Sequence, residues 1–333
     1  MPMRRCSMVL LATLALLVAG CSDGSGSDQA DPKPGKSATT VAAPPTTDPA
    51  AAAKAYVDPG PYPVGVATLA LPSGPEVEVW YPAVKGTTGT VSYDVRDFVP
   101  EAIRKILTAD VPATFEFAGK RDAQVADGKF PVVLFSHGFS GFRLQSSFLT
   151  SHLASYGMVV VAPDHPSRSL AGVLGGGAAP GGTDASVDGL LGSLDLIEAQ
   201  SNDAKSPFKG HVDATRVAAL GHSAGGGTIL GAARDERVDG YVSMASGGPA
   251  DKAAFPDRPS FFLAGSLDGI ISAKDRTLPA YEAAPAPSRF WEIDGVGHNG
   301  FDDFCTFGGG TGIIGIAEAS GLGGLLKAQP QLA

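Results

Sequence analysis

Cysteine is scarce, with three in 333 residues at positions 6, 21 and 305, so no disulfide framework can hold this chain together. Charge is thin as well: 18% of residues are Asp, Glu, Lys or Arg, with a net charge of −9. No basic cluster or RNA-binding motif occurs, which argues against a nucleic-acid partner. Cys and His never gather at metal-ligand spacing, so neither a metal nor an organic cofactor is implied. No apolar run reaches the roughly 18 residues needed to span a bilayer. Tryptophan is limited to Trp80 and Trp291. What remains is 44% hydrophobic, enough for one large globular core.

The first twenty residues read as a targeting segment. Arg4 and Arg5 form a charged start, and Met8–Ala19 is a short apolar stretch. It ends in Val18-Ala19-Gly20-Cys21, which resembles the lipobox of bacterial lipoproteins. The resemblance implies cleavage before Cys21, acylation of its sulfur and anchoring to a membrane. An ordinary secretory signal is the alternative, and either places the mature protein outside the cytoplasm. Residues 21–55 are rich in Ser, Asp, Pro, Ala and Thr, the composition of a solvated tether. A catalytic domain is expected over 56–333, with nothing to fix its oligomeric state; a monomer is the default. With Cys6 removed and Cys21 acylated, Cys305 is expected to stand alone as an apolar filler, with no intramolecular disulfide.

The globular part alternates strand and helix signals. Strands are predicted at Val64–Leu71, Glu76–Tyr81, Phe130–Phe135, Met158–Ala162, 216–220, 240–245, 260–265 and 289–293. Helices are predicted at Leu144–Tyr156, 184–200 and 226–234, and residues 84–128 are less regular. Such alternation implies right-handed crossovers: an α/β fold with a mostly parallel central sheet and helices on both faces. The site is then expected at the carboxyl ends of the strands.

The stretch Arg216-Val-Ala-Ala-Leu-Gly-His-Ser-Ala-Gly225 carries an apolar strand into Gly221-His222-Ser223-Ala224-Gly225 and on into a small-residue helix. This is the context of a nucleophile elbow, a turn so tight that the serine backbone is strained and its hydroxyl stands clear of the sheet. In folds of this kind a base follows the serine, and His298, in Gly295-Val-Gly-His-Asn-Gly300, is the only histidine that does so. An acid should lie between them. Asp268, where the strand 260–265 breaks into a turn, is the first choice, Asp294 the second and Asp251 the third. Oxyanion donors are expected from the backbone N–H groups of Ala224 and of Phe139, in the loop Ser136-His-Gly-Phe-Ser-Gly141. His137 is expected to brace that loop. Phe142 and Ser246 are candidate substrate contacts, and the glycine-rich loop 172–182 is placed beside the pocket.

These residues resemble the α/β-hydrolase superfamily over residues 60–327. Phe135-Ser-His-Gly-Phe-Ser-Gly-Phe-Arg143 and His298-Asn-Gly-Phe-Asp-Asp-Phe304 are similar to loops of the platelet-activating-factor acetylhydrolases. Gln145-Ser-Ser147, Gly265-Ser-Leu-Asp268 and Phe290-Trp-Glu-Ile-Asp-Gly295 are similar to the dienelactone-hydrolase-like group, which includes bacterial cutinases and polyester hydrolases. Acetylhydrolases place the acid directly after the strand equivalent to 240–245, where this chain reads Met244-Ala-Ser-Gly247. The acid therefore follows the cutinase pattern. The resemblance implies a serine carboxylester hydrolase working through an acyl-enzyme on lipid-like, short-to-medium acyl or polyester-type esters. Two alternatives stay open: an acyltransferase with the same triad, and a non-catalytic surface lipoprotein that binds apolar ligands.

Overall fold

Apolar side chains on successive strand residues point alternately to opposite sides, and here both sides are core. The computed structural model describes residues 56–175, 182–249 and 251–321. The expected leader, Cys21, the tether to residue 55 and residues 176–181 of the glycine-rich loop lie outside the described residues.

The strands are β1 (Val64–Ala70), β2 (Glu76–Pro82), β3 (Thr90–Asp94), β4 (Thr114–Ala118), β5 (Lys120–Arg121), β6 (Phe130–Ser136), β7 (Val159–Pro163), β8 (Val212–His222), β9 (Gly240–Met244), β10 (Ser260–Gly265) and β11 (Ser288–Ile293). Nine form one sheet in the order β11-β10-β9-β8-β6-β7-β2-β1-β5. Pairing is parallel from β7 across to β11, while β2 runs antiparallel to both β7 and β1. The main helices are α1 (Ser147–Ser155), α2 (Gly182–Asn202), α3 (Ala224–Ala232), α4 (Leu278–Ala283) and α5 (Gly312–Ala319). This is the α/β-hydrolase architecture that the resemblance implied.

In β6, Val132 and Leu134 join one core while Val133 and Phe135 join the other. Strand β7 divides the same way, Val159 and Val161 against Val160 and Ala162. The first core is closed by Leu190, Leu194 and Ile197 of α2 and by Ile229 of α3. The spacing of those α2 residues puts them on one helical stripe. The second core is closed by Ala154 of α1, Ile316 of α5 and the β3–β4 pair. A strand buried on both faces has no polar side to show, which is why β6 and β7 read as unbroken apolar runs.

Two departures from the sequence reading have physical causes. Residues 84–128 contain an antiparallel pair, Val91 facing Phe117 and Tyr93 facing Phe115. Its strands are joined by a long connection, so no local turn signal announces it. Strand β8 begins at Val212 because Val212 and Asp213 pair with Phe130 and Pro131 before a register shift. Cys305 is disulfide-bonded, which corrects the expectation that it stands alone; Cys6 and Cys21 both lie outside the described residues.

The chain winds from β6 to β7 on one side, then returns past β6 to place β8 on the other. The carboxyl ends of β6 and β8 therefore lie side by side at the point where the winding reverses, the usual place for a ligand crevice. Leu194 is fully buried under the sheet. Leu194→Ala should lower unfolding stability by about 2–5 kcal/mol, measured by urea denaturation; a loss under about 1 kcal/mol would mean that this face is loosely packed.

Candidate active site

Ser223 stands between β8 and α3 with φ 54° and ψ −119°, a conformation that costs on the order of 1–3 kcal/mol in a non-glycine residue. Its neighbours hold it there. A Cβ on Gly225 would strike the Ser136 carbonyl oxygen, and one on Gly221 would strike the Gly225 carbonyl. Only hydrogen at these two positions lets α3 start so close to β6. The Ser223 N–H donates to the Met244 carbonyl at the end of β9 (2.9 Å), which ties the turn to the next strand as well.

His298 opens a 3₁₀ turn, His298–Phe301, in the loop after β11. Its Nδ1 lies 2.8 Å from Asp268 Oδ2. The other carboxylate oxygen, Oδ1, accepts from the N–H groups of Ile270 (2.9 Å) and Ile271 (2.7 Å). Three hydrogen bonds thus satisfy the Asp268 carboxyl group, which is buried after β10, as a buried polar group requires. Asp294 instead accepts from Ser266 Oγ (2.9 Å), and Asp251 caps the short turn 252–254 through the Ala253 N–H (2.9 Å). Ser223 and His298 line one small cavity, together with Gly138, Phe139, Ile270 and Asp302.

The loop after β6 is held by buried polar groups, of which the sequence announced His137 alone. Gln145 Oε1 accepts from the Gly138 N–H (2.8 Å), which orients the amide so that Nε2 donates to His222 Nδ1 (2.7 Å). The remaining His222 nitrogen, Nε2, then donates to the His298 carbonyl oxygen (3.0 Å). One relay therefore joins the β6 loop to the loop of His298. Burial, helped by the nearby His298, lowers the His222 pKa to about 3, so this ring is neutral and keeps the single tautomer that the relay needs. Nothing in the sequence marks His222 except its place beside Ser223.

His137 does brace the loop: Nδ1 donates to the Gly138 carbonyl (2.8 Å) and Nε2 accepts from the His165 N–H (3.0 Å). Beneath it, the buried Arg168 guanidinium donates to the His137 carbonyl (2.9 Å), Ser136 Oγ (2.8 Å) and Thr228 Oγ1 (2.8 Å). Desolvation lowers the Arg168 pKa to about 10. Farther along, Arg143 clamps Asp164 (2.6 Å) and Glu76 (2.6 Å), anchoring the end of the segment to β2 and β7. Neither the Phe139 N–H nor the Ala224 N–H is engaged by another group among the described residues. The Phe139 side chain is 41% exposed, at the mouth of the cavity.

Two sequence candidates are not brought into the cavity. Phe142 is buried in the second core, stacked on Phe98 with ring centroids 4.4 Å apart. Ser246 is buried beside Gly226, its hydroxyl directed at the Gly247 carbonyl (3.3 Å). Both residues follow strand ends, which is why they looked available; the side chains turn inward. Phe304, next to His298 in the fold, lines the cavity instead.

A model of the PET hydrolase-like family matches residues 122–315, from just after β5 to beyond His298. The chain belongs to this family. Among its relatives are cutinase est2 of Thermobifida alba, 26% identical over 193 residues (51% of this chain, 53% of the relative), and cutinase cut1 of Thermobifida fusca, 26% identical over 193 residues (51% and 50%). A platelet-activating factor acetylhydrolase of Cavia porcellus is 26% identical over 221 residues (53% and 49%). The chain thus spans about half the length of the curated relatives it matches. Both groups named by the sequence resemblance are represented, in a family whose matched region contains Ser223, Asp268 and His298.

Asp303 provides a test of the site's surroundings. It accepts from the Phe148 N–H at the start of α1 (3.3 Å), yet burial pushes its carboxyl up to about 7. In the unfolded chain the value is about 4. Between those values the folded protein holds a proton that the unfolded chain has released, so this group's contribution to stability falls as pH rises from about 4 to about 7. Asp303→Asn has no such titration. Its melting temperature relative to the unaltered protein should rise between pH 5 and pH 7, as scanning calorimetry would show; a constant difference would count against the titration.

Proposed function

We propose that this protein is a serine carboxylester hydrolase in which Ser223 is the nucleophile, His298 the general base and Asp268 the acid that orients it. The observation that carries the reading is one cavity lined by both Ser223 and His298, with Asp268 bonded to the far ring nitrogen at 2.8 Å. That bond leaves His298 Nε2 for the serine proton. No hydrogen bond joins the Ser223 hydroxyl to His298 among the described residues; on this reading the contact closes in the substrate complex, as such contacts commonly do.

Ser223 Oγ attacks the ester carbonyl carbon as His298 takes its proton, and negative charge grows on the carbonyl oxygen. The Phe139 and Ala224 N–H groups supply two free donors for it, and the positive end of α3 adds to the field. The tetrahedral species collapses as His298 returns the proton to the leaving alcohol. Water, activated by the same imidazole, then cleaves the acyl-enzyme. The exposed Phe139 and the neighbouring Ile270 give the cavity apolar walls, which suits lipid-like, short-to-medium acyl or polyester-type esters.

The relatives' names, cutinase and acetylhydrolase, both denote ester cleavage and support this class of reaction. We also place the protein outside the cytoplasm, tethered through Cys21. The anchor and a disulfide of Cys305 within the chain exclude each other, because cleavage before Cys21 removes Cys6 and the thioether takes the Cys21 sulfur, which are the other two thiols of the sequence. Mass analysis of the mature N-terminal peptide should find a diacylglyceryl group on Cys21; a free amino-terminal secretory cut, or Cys21 in a disulfide, would discard the anchor.

Ser223→Ala and His298→Ala should each lower kcat by on the order of 10⁴ to 10⁶, and the double variant by little more, because the two act as one unit. Asp268→Asn should cost several hundredfold or more. The assay is steady-state hydrolysis of nitrophenyl esters from acetate to palmitate, with fluorophosphonate labelling as a direct report on Ser223. An unlabelled serine would favour the ligand-binding alternative. Ester exchange that outruns hydrolysis when an alcohol is added would favour the acyltransferase.

A further inference from the structure

Asp302 lies four residues beyond His298, is only 7% exposed, and lines the same cavity as Ser223 and His298. Its Oδ1 accepts from the Phe304 N–H at 2.9 Å. Its Oδ2 is buried and has no hydrogen-bond partner among the described residues. A buried polar atom left without a partner is costly, and such atoms occur where a ligand or a reaction supplies one. No step of the ester hydrolysis outlined above uses this carboxyl.

Its charge state follows from its surroundings. Burial raises the Asp302 pKa well above the usual carboxylate range, and the adjacent Asp303 adds to the effect. The carbonyl-type oxygen is already engaged by Phe304, so the proton sits on Oδ2, turning the orphan atom into a donor. A neutral carboxylic acid in a low-dielectric pocket is a strong hydrogen-bond donor toward an ether or carbonyl oxygen.

The side of the substrate it meets follows from the chemistry. His298 must hand its proton to the departing alcohol, so the alcohol portion lies against the loop of His298, and Asp302 belongs to that loop. We propose that Asp302 is a specificity-determining residue that donates a hydrogen bond to a second oxygen in the alcohol portion of the ester. The favoured substrates are then esters of alkoxy- or acyloxy-substituted alcohols, over esters of plain alkanols of the same length. This inference rests on the esterase reading given above.

A matched pair of substrates isolates the effect. 2-Methoxyethyl butyrate and butyl butyrate have the same number of heavy atoms and differ by one oxygen for one methylene. The ratio of their kcat/KM values, followed by pH-stat titration with the full chain, is the readout; comparing it between variants cancels the esters' intrinsic reactivities. Asp302→Leu should lower the ratio about tenfold or more, because a site built to bond an oxygen discriminates strongly and an apolar one does not. Asp302→Asn, an isosteric neutral donor, should keep it within about threefold. Asp302→Ala supplies the same comparison if the leucine variant does not fold. A ratio unchanged in the Leu or Ala variant, or a ratio lost equally in Asp302→Asn, overturns the assignment while fluorophosphonate labelling of Ser223 stays intact. Absence of labelling in the unaltered protein would instead remove the esterase reading and this inference with it.

Discussion

The contact on which the rest of this structure depends is between the backbone at Gly225 and the carbonyl of Ser136. It has no side chain in it. Two glycines let a helix begin against the neighbouring strand, and the residue between them is forced to a positive φ. The strain is local, on the order of 1–3 kcal/mol, and it is sustained by two cores that close on either face of the sheet. Were the strands less well packed, the turn would relax and Ser223 would no longer be presented at the crevice. Packing in the cores and presentation of the hydroxyl are in this sense one constraint.

Around that turn the protein uses neutral polar groups as spacers. Gln145, His222 and His137 are buried and each makes directed hydrogen bonds. Because burial keeps the two histidines uncharged near neutral pH, their donor and acceptor nitrogens are distinct, and each fits a single arrangement of the loops. The β6 loop and the His298 loop come from distant parts of the sequence. Their relative position is set by this relay, which fixes the Phe139 N–H in the β6 loop with respect to the His298 imidazole. The same low-dielectric surroundings hold Asp302 and Asp303 in the protonated direction, so the acidic character of the chain is muted where the chemistry lies.

Much of this could be read from residue order. The unbroken apolar run at 130–135 declared a strand buried on both faces, 158–162 read as a further strand, and Gly-His-Ser-Ala-Gly declared the turn. Elimination led to His298 because it alone among the histidines follows Ser223, and to Asp268 because it ends a strand; the structure brings those two together at 2.8 Å and engages Asp294 and Asp251 elsewhere. Other features were out of reach. The β3–β4 pair joins residues too far apart for a local pattern. Phe142 could have faced the crevice or the core with the same sequence around it, and it faces the core. Gln145 belonged to a motif of the resemblance but had no role assigned by it, and with His222 it becomes a relay only when β8 and the β6 loop are adjacent.

The amino-acid order by itself determined the alternation of strand and helix and the sharp turn at Ser223, because each depends on local backbone preference or on strand periodicity. Tertiary structure alone decided that Asp302 and Asp303 are pushed toward the protonated form, since that depends on how much water survives around each group. It also decided which aromatic side chains would border the cavity and which would fill the core. Periodicity assigns a residue to a face, but only the packing of one face against another determines what that face meets.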